Sequence, residues 1–151
     1  MTGVQTCALP ISIAKIADAQ GSPLAVAIEV SGHHIFGDEP TAKGGANLGP
    51  SPYDLLTASL GACTAITVRW YALQKAWPLE HVQVDVEHSK IRLAGAEDVV
   101  DQFVKTVTII GPDLTPEQHA KLVDVAQKCP VHKTLSGQSR IETVPPPSLS
   151  F

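Results

Sequence analysis

The spacing of apolar and polar residues changes character several times along the chain. Short apolar runs at Ile13 to Ala19, Leu24 to Val30 and His33 to Phe36 are broken by Gln20-Gly21-Ser22-Pro23 and by Ser31-Gly32. Runs of this length separated by turn residues predict antiparallel strands joined by tight turns. Glu39 to Pro52 then carries Gly44, Gly45, Gly49 and Pro50 and reads as a loop. Ser51-Pro52 supplies an N-cap and a proline suited to a first helical turn, and the pattern predicts a helix from Tyr53 to about Ala76. Between Leu55 and Val68 apolar and small residues occupy every face of that helix, which predicts a helix enclosed by protein in the middle of the fold.

Beyond Trp77-Pro78, Val82, Val84 and Val86 alternate with Gln83, Asp85 and Glu87, the signature of a half-buried strand. Ile91 and Leu93 have the opposite parity, so a bulge is expected near His88. Phe103 to Ile110 reads as a further strand. Thr115-Pro116-Glu117-Gln118 is a capping-box start for a helix running to about Lys128, on which Leu122, Val125, Ala126 and Cys129 form a buried stripe. Pro130 stops that helix and can begin a short one that ends at Ser136-Gly137. Arg140 to Val144 reads as a last strand, followed by a tail from Pro145 to Phe151. The order of elements is that of an α+β fold.

Length and charge narrow what such a fold can do. At 151 residues, with 11 Lys plus Arg against 15 Asp plus Glu, the chain has the size of one domain, expected over residues 13–144, and a net charge of −4. The acidic balance offers no footprint for nucleic acid or an anionic membrane surface. The longest central stretch free of charge, Leu55 to Val68, is 14 residues, short of the roughly 20 that span a bilayer. Three cysteines do not make a secreted disulfide framework, and a reduced, cytoplasmic setting is expected. Residues 1–12 read as a non-native extension, which would make Cys7 incidental.

Cys63 and Cys129 remain. Cys63 falls in mid-helix, flanked on its own face by Leu56, Ser59, Leu60, Ile66, Thr67 and Trp70, where a small buried thiol can simply pack. Cys129 precedes Pro130 and is placed to cap the following helix, where the helix dipole and free N–H groups favour thiolate. His132 and Lys133 add donors beside it. A Cys-x-x-His pair is also half of a zinc site, but the sequence has no second closely spaced pair to complete one.

Taken together, Gly49-Pro50-Ser51-Pro52-Tyr53-Asp54-Leu55-Leu56, Leu60-Gly61-Ala62-Cys63-Thr64, Tyr71-Ala72, Lys75-Ala76-Trp77-Pro78-Leu79-Glu80 and Cys129-Pro130-Val131-His132-Lys133-Thr134-Leu135 resemble the OsmC/Ohr family, most closely its OsmC-like branch. The resemblance implies an intertwined homodimer in which antiparallel sheets wrap the central helices. It further implies thiol-dependent reduction of hydroperoxides without cofactor or metal. In that chemistry Cys63 attacks the peroxide, and Cys129 resolves the sulfenic acid as a disulfide that an external dithiol reduces. The apolar residues around Cys63 favour organic peroxides.

Members of the family with peroxidase activity activate the thiol with an Arg from the N-terminal region and a Glu just after the helix-starting proline. Here Tyr53 follows Pro52, Asp54 comes one place later, and no Arg precedes Arg69. Asp54, nine residues before Cys63, is about half a turn out of phase with it and is expected to serve the helix N-terminus or a partner subunit. His33, His34, Lys43 and Arg69 are the candidate replacement cations. With these substitutions, an alternative is a non-enzymatic module that keeps the fold and binds a small apolar or acyl ligand.

Overall fold

The computed structural model describes residues 11–146, so Cys7 and most of the expected N-terminal extension, with the end of the tail, lie outside the described residues. The described residues fall into two compact units that divide between Leu56 and Thr57.

The first unit holds a three-stranded antiparallel sheet in the order β1 (Ala14–Asp18), β2 (Val26–Val30), β3 (His33–Gly37). Val30 pairs with His33, and the two residues between them, Ser31 at φ 51° and Gly32 at φ 79°, are both left-handed. That is the requirement of a two-residue hairpin whose twist matches its strands. A single 3-10 turn, Thr41–Lys43, interrupts the loop that follows. The loop is tied to Asp38, which is 2% exposed. Its carboxylate accepts from the Ser22 hydroxyl at 3.0 Å and from the amides of Glu39, Ala46 and Leu48 at 2.8, 3.0 and 3.2 Å. A Cβ on Gly45 would overlap the Glu39 carbonyl, so only glycine lets the loop fold back this tightly.

Helix α1, Pro52–Gln74, begins in the first unit and continues into the second. Ser51 and Asp54 cap it reciprocally, the Ser51 amide donating to Asp54 Oδ2 at 2.9 Å and the Asp54 amide to Ser51 Oγ at 3.3 Å. Ala76, left-handed at φ 52°, follows its C-terminus, where the Trp77 amide donates to the Ala72 carbonyl. The buried residues of α1 are Leu60, Thr64, Val68 and Ala72, spaced four apart on one face. Ile66, Trp70 and Leu73 are exposed. A single chain therefore encloses one face of the helix rather than all of it.

The second unit adds a long antiparallel ribbon of β4 (His81–Arg92) and β5 (Val99–Ile110). Its register runs without interruption from His81 opposite Ile110 to Arg92 opposite Val99. The expected bulge at His88 is thus absent, although the buried parity does change there, with His88 and Ser89 both half-buried. A two-stranded ribbon twists strongly, and twist can turn a different face inward without an inserted residue.

Helix α2, Pro116–Ala126, starts with the expected capping box, in which Thr115 and Gln118 bond each other's amides at 3.0 and 3.1 Å. Val68, Ala72, Ile109, Leu122 and Ala126 form the core between helices and ribbon. Leu122 is fully buried, and truncating it to Ala should cost about 2–5 kcal/mol. Helix α3, Pro130–Ser136, follows directly with Cys129 as its N-cap. Arg140 to Val144 forms no strand: no neighbour among the described residues pairs with it, and Ile141 and Val144 stay exposed. No helix of the described residues is long and apolar enough to cross a membrane.

Candidate active site

The second unit brings Cys63 and Cys129 together as free thiols. Cys63 comes from the middle of α1 and is half-buried; Cys129, at the junction of α2 and α3, is 0% exposed. Cys63 lies close enough to Cys129 to favour its ionisation. Pro130 fixes this arrangement locally, because it ends α2 and occupies the first position of α3, leaving the Cys129 side chain to cap the new helix. The His132 amide donates to Cys129 Sγ at 3.3 Å, and the Thr64 hydroxyl lies 3.5 Å from the same sulfur.

Two residues that the sequence reading passed over complete the cluster. Thr64 is fully buried on α1, its hydroxyl 2.8 Å from the Leu60 carbonyl oxygen. Lys105 on β5 donates to Thr64 Oγ1 at 3.2 Å, to the Ala126 carbonyl at 2.7 Å and to His132 Nδ1 at 3.0 Å. An ammonium has three hydrogens and no lone pair, so His132 Nδ1 must accept. His132 is therefore the neutral tautomer, with its proton on Nε2.

The charges follow from this packing. Burial pushes the Lys105 ammonium pKa down, against the attraction of Cys129 and Cys63. Burial, and then the charge of Lys105, push the His132 imidazole below its ordinary value, which keeps it uncharged as the hydrogen bond requires. For Cys129, burial opposes ionisation, but Thr64, the His132 amide, Cys63 and the Lys105 charge together outweigh it, and the thiol ionises below its ordinary range. Beside the cluster opens a cavity of ≈ 210 Å³. Leu60, Phe103 and Leu135 give it an apolar wall, and Lys105, His132, Ser136 and Asp101 give it polar edges. Asp101 is itself held by Lys90 at 2.9 Å and His88 at 2.8 Å.

Of the remaining candidates, Arg69 stays on the exposed surface of α1. In the first unit, His33 and His34 are exposed on β3, Tyr53 is 44% exposed in the first turn of α1, and Lys43 pairs with Glu39 at 3.6 Å. Asp54 is engaged by the Ser51 amide and hydroxyl, which hold its carboxyl below the usual carboxylate range, so it serves the helix N-terminus as expected. Lys105 did leave a signal in the sequence: it shares the inward parity of Phe103, Val107 and Ile109, a lone cation on the apolar face of a strand. Among the described residues, no three His, Cys, Asp or Glu side chains gather as a metal site needs.

Solved structures share this fold. A putative osmotic stress induced and detoxification response protein from Psychrobacter arcticus superposes with a TM-score of 0.66 at 21% identity, over 83% of this chain and 89% of its own. An organic hydroperoxide resistance protein OsmC from Legionella pneumophila does so at 0.64 and 24% identity, over 86% and 92%. The organic hydroperoxide resistance protein OhrB of Bacillus subtilis gives 0.56 and 20% identity, over 86% and 93%. No curated protein matches the chain. The sequence model of OsmC-like proteins matches residues 44–144, a span that takes in both cysteine motifs and the lysine between them. With two thirds of its length accounted for in this way, the chain belongs to the OsmC-like family.

Proposed function

We propose that this protein is a thiol peroxidase that reduces hydroperoxides, organic ones by preference. The observation that carries the reading is the meeting of two free thiols from separate motifs, one half-buried and one fully buried, with Lys105 beside them. Cys63, the more accessible, attacks the terminal peroxide oxygen; the O–O bond breaks, an alcohol leaves and Cys63 becomes a sulfenic acid. Cys129 then attacks the Cys63 sulfur, water is lost, and the resulting disulfide is reduced by an external dithiol.

The apolar wall of Leu60, Phe103 and Leu135 supports an organic substrate. Similar structures carrying the description of organic hydroperoxide resistance proteins support the same chemistry. The working form is a homodimer, in which a second copy covers Ile66, Trp70 and Leu73 of α1. Its place is the cytoplasm, where dithiol reductants are at hand. A passive ligand-binding module would have no use for a thiol pair so placed.

The test is stopped-flow consumption of cumene hydroperoxide with dithiothreitol as reductant. Wild-type protein should turn over repeatedly, Cys63→Ser should not, and Cys129→Ser should lose the intramolecular disulfide. Wild-type rates no faster than those of Cys63→Ser would overturn the reading.

A further inference from the structure

The thiol couple is asymmetric in a way the reaction alone does not require. Among the described residues, hydrogen-bonding groups converge on the buried sulfur rather than on the one that meets the peroxide. Cys129 Sγ faces the Cys63 thiol and the Thr64 hydroxyl from α1 and the His132 amide from α3. The charged and titratable groups around it are Cys63 on α1, Lys105 on β5 and the neutral His132 on α3, while α2 presents the uncharged Ala126 carbonyl to Lys105. Lys105 is thus the cation of the cluster, and it reaches the sulfur through Thr64, to which it donates at 3.2 Å.

We propose that Lys105 is the positioning residue that holds the resting negative charge of the couple on Cys129, so that the Cys129 thiolate accepts the Cys63 proton and serves as its base. This assignment rests on the peroxidase reading for its use, but the charge placement stands without it. The proton balance closes. With Cys63 as thiol and Cys129 as thiolate, Cys63 passes its proton to Cys129 as its sulfur bonds to the distal peroxide oxygen. The O–O bond breaks with the electron pair leaving on the alkoxide, and Cys129 returns the proton to give the alcohol. Cys63 is then a sulfenic acid and Cys129 again a thiolate, ready to attack it and expel hydroxide, which takes a proton from solvent to become water. One sulfur acts in turn as base, acid and nucleophile, and Lys105 substitutes in this chain for an activating Arg.

The experiment is a thiol titration without peroxide, followed by thiolate ultraviolet absorbance in the full chain carrying Cys7→Ser. Adding Cys63→Ser, which leaves a hydroxyl donor in place of the thiol, should keep a thiolate that ionises below the ordinary thiol range. Adding Cys129→Ser instead should abolish it. Lys105→Met should move the Cys129 midpoint up, and Lys105→Arg should hold it near the wild-type value, since the Lys105 charge favours the thiolate and is linked to the sulfur through Thr64. A low midpoint that follows Cys63, or Lys105→Met titrating like wild type, would overturn the proposal. Should Lys105→Met not fold, the two serine variants carry the test without touching the lysine. Failure to consume peroxide would sink the peroxidase reading and leave the titration standing, and the converse holds for a failed titration in an active enzyme.

Discussion

The Thr64 hydroxyl lies 2.8 Å from the Leu60 carbonyl oxygen and 3.5 Å from Cys129 Sγ, and its single proton can serve one of them at a time. With Cys129 as a thiol, the proton of Thr64 stays on Leu60 and the hydroxyl oxygen is open to the S–H. With Cys129 as a thiolate, the hydroxyl turns to the sulfur. Thr64→Val keeps the shape of the side chain and removes this exchange. It also takes one of three acceptors from Lys105. The variant should lose about 1–3 kcal/mol in chemical denaturation and its Cys129 midpoint should rise, with Thr64→Ser restoring both. A Thr64→Val protein that titrates like wild type would remove Thr64 from the site.

The pH dependence has a definite sign. The Cys129 thiol is held below its ordinary value, so its thiolate is fully present above that lowered value and is lost as the pH falls through it. Peroxide consumption should therefore show an acid limb that lies below the ordinary thiol range. His132 is also depressed, its unfolded value being the ordinary one near 6.5. Its contribution to stability is complete above that pH and is lost on acidification through the lower folded value, because the unfolded chain takes up the proton first. His132→Asn preserves an acceptor near Nδ1 and cannot titrate. Its melting temperature should fall less steeply with acid than that of wild type, and parallel curves would count against the buried neutral imidazole.

Asp38 offers a separate test in the first unit. Burial raises its pKa, but bonds from the amides of Ala46, Leu48 and Glu39 and from Ser22 overcome this and hold the carboxyl below the usual range. The stabilisation is present above the ordinary carboxylate value of 3.8 and is lost as the pH falls through the lower folded value. Asp38→Ala should lower the melting temperature by several degrees at neutral pH. Asp38→Asn should keep part of the loop's hydrogen bonding and lose the acid dependence of this group. Melting curves of the two variants from neutral to strongly acid pH would show it.

Gly61 sits where α1 passes β4. A Cβ there would meet Val86 Cγ2 at 3.2 Å, a tight contact with the movable end of a side chain. Gly61→Ala should be within about 1 kcal/mol of wild type, the gain in helix propensity offsetting the displacement of Val86. Gly61→Leu, which cannot be accommodated by one rotamer change, should cost about 1–3 kcal/mol by overpacking. Equilibrium urea denaturation of both variants separates the cases.

Much of the fold was legible in local chemistry. Ser31-Gly32, Thr115 with Gln118, and Pro130 each name a turn or a cap without reference to distant residues, and each appears where expected. What needed tertiary information was read less well. The apolar residues of α1 announced burial on every face, but the described residues of the chain bury one face and leave Ile66 and Trp70 exposed, which depends on packing that a local pattern does not encode. Arg140 to Val144 has the composition of a strand and no partner edge among the described residues. At the site, Cys63, Cys129 and His132 stood in motifs. Lys105 stood in none, because a lysine in a strand usually faces water and only its parity with Phe103 and Val107 marks it as inward.

The complete burial of Cys129 also bears on damage. Overoxidation to sulfinic acid requires a sulfur to meet a second peroxide, and in the reaction proposed for this protein a sulfur without exposed surface meets oxidant only through its neighbour. Excess peroxide should then mark Cys63 and spare Cys129, so that the fate of an overwhelmed molecule is written on one cysteine and can be read by mass spectrometry of its two peptides.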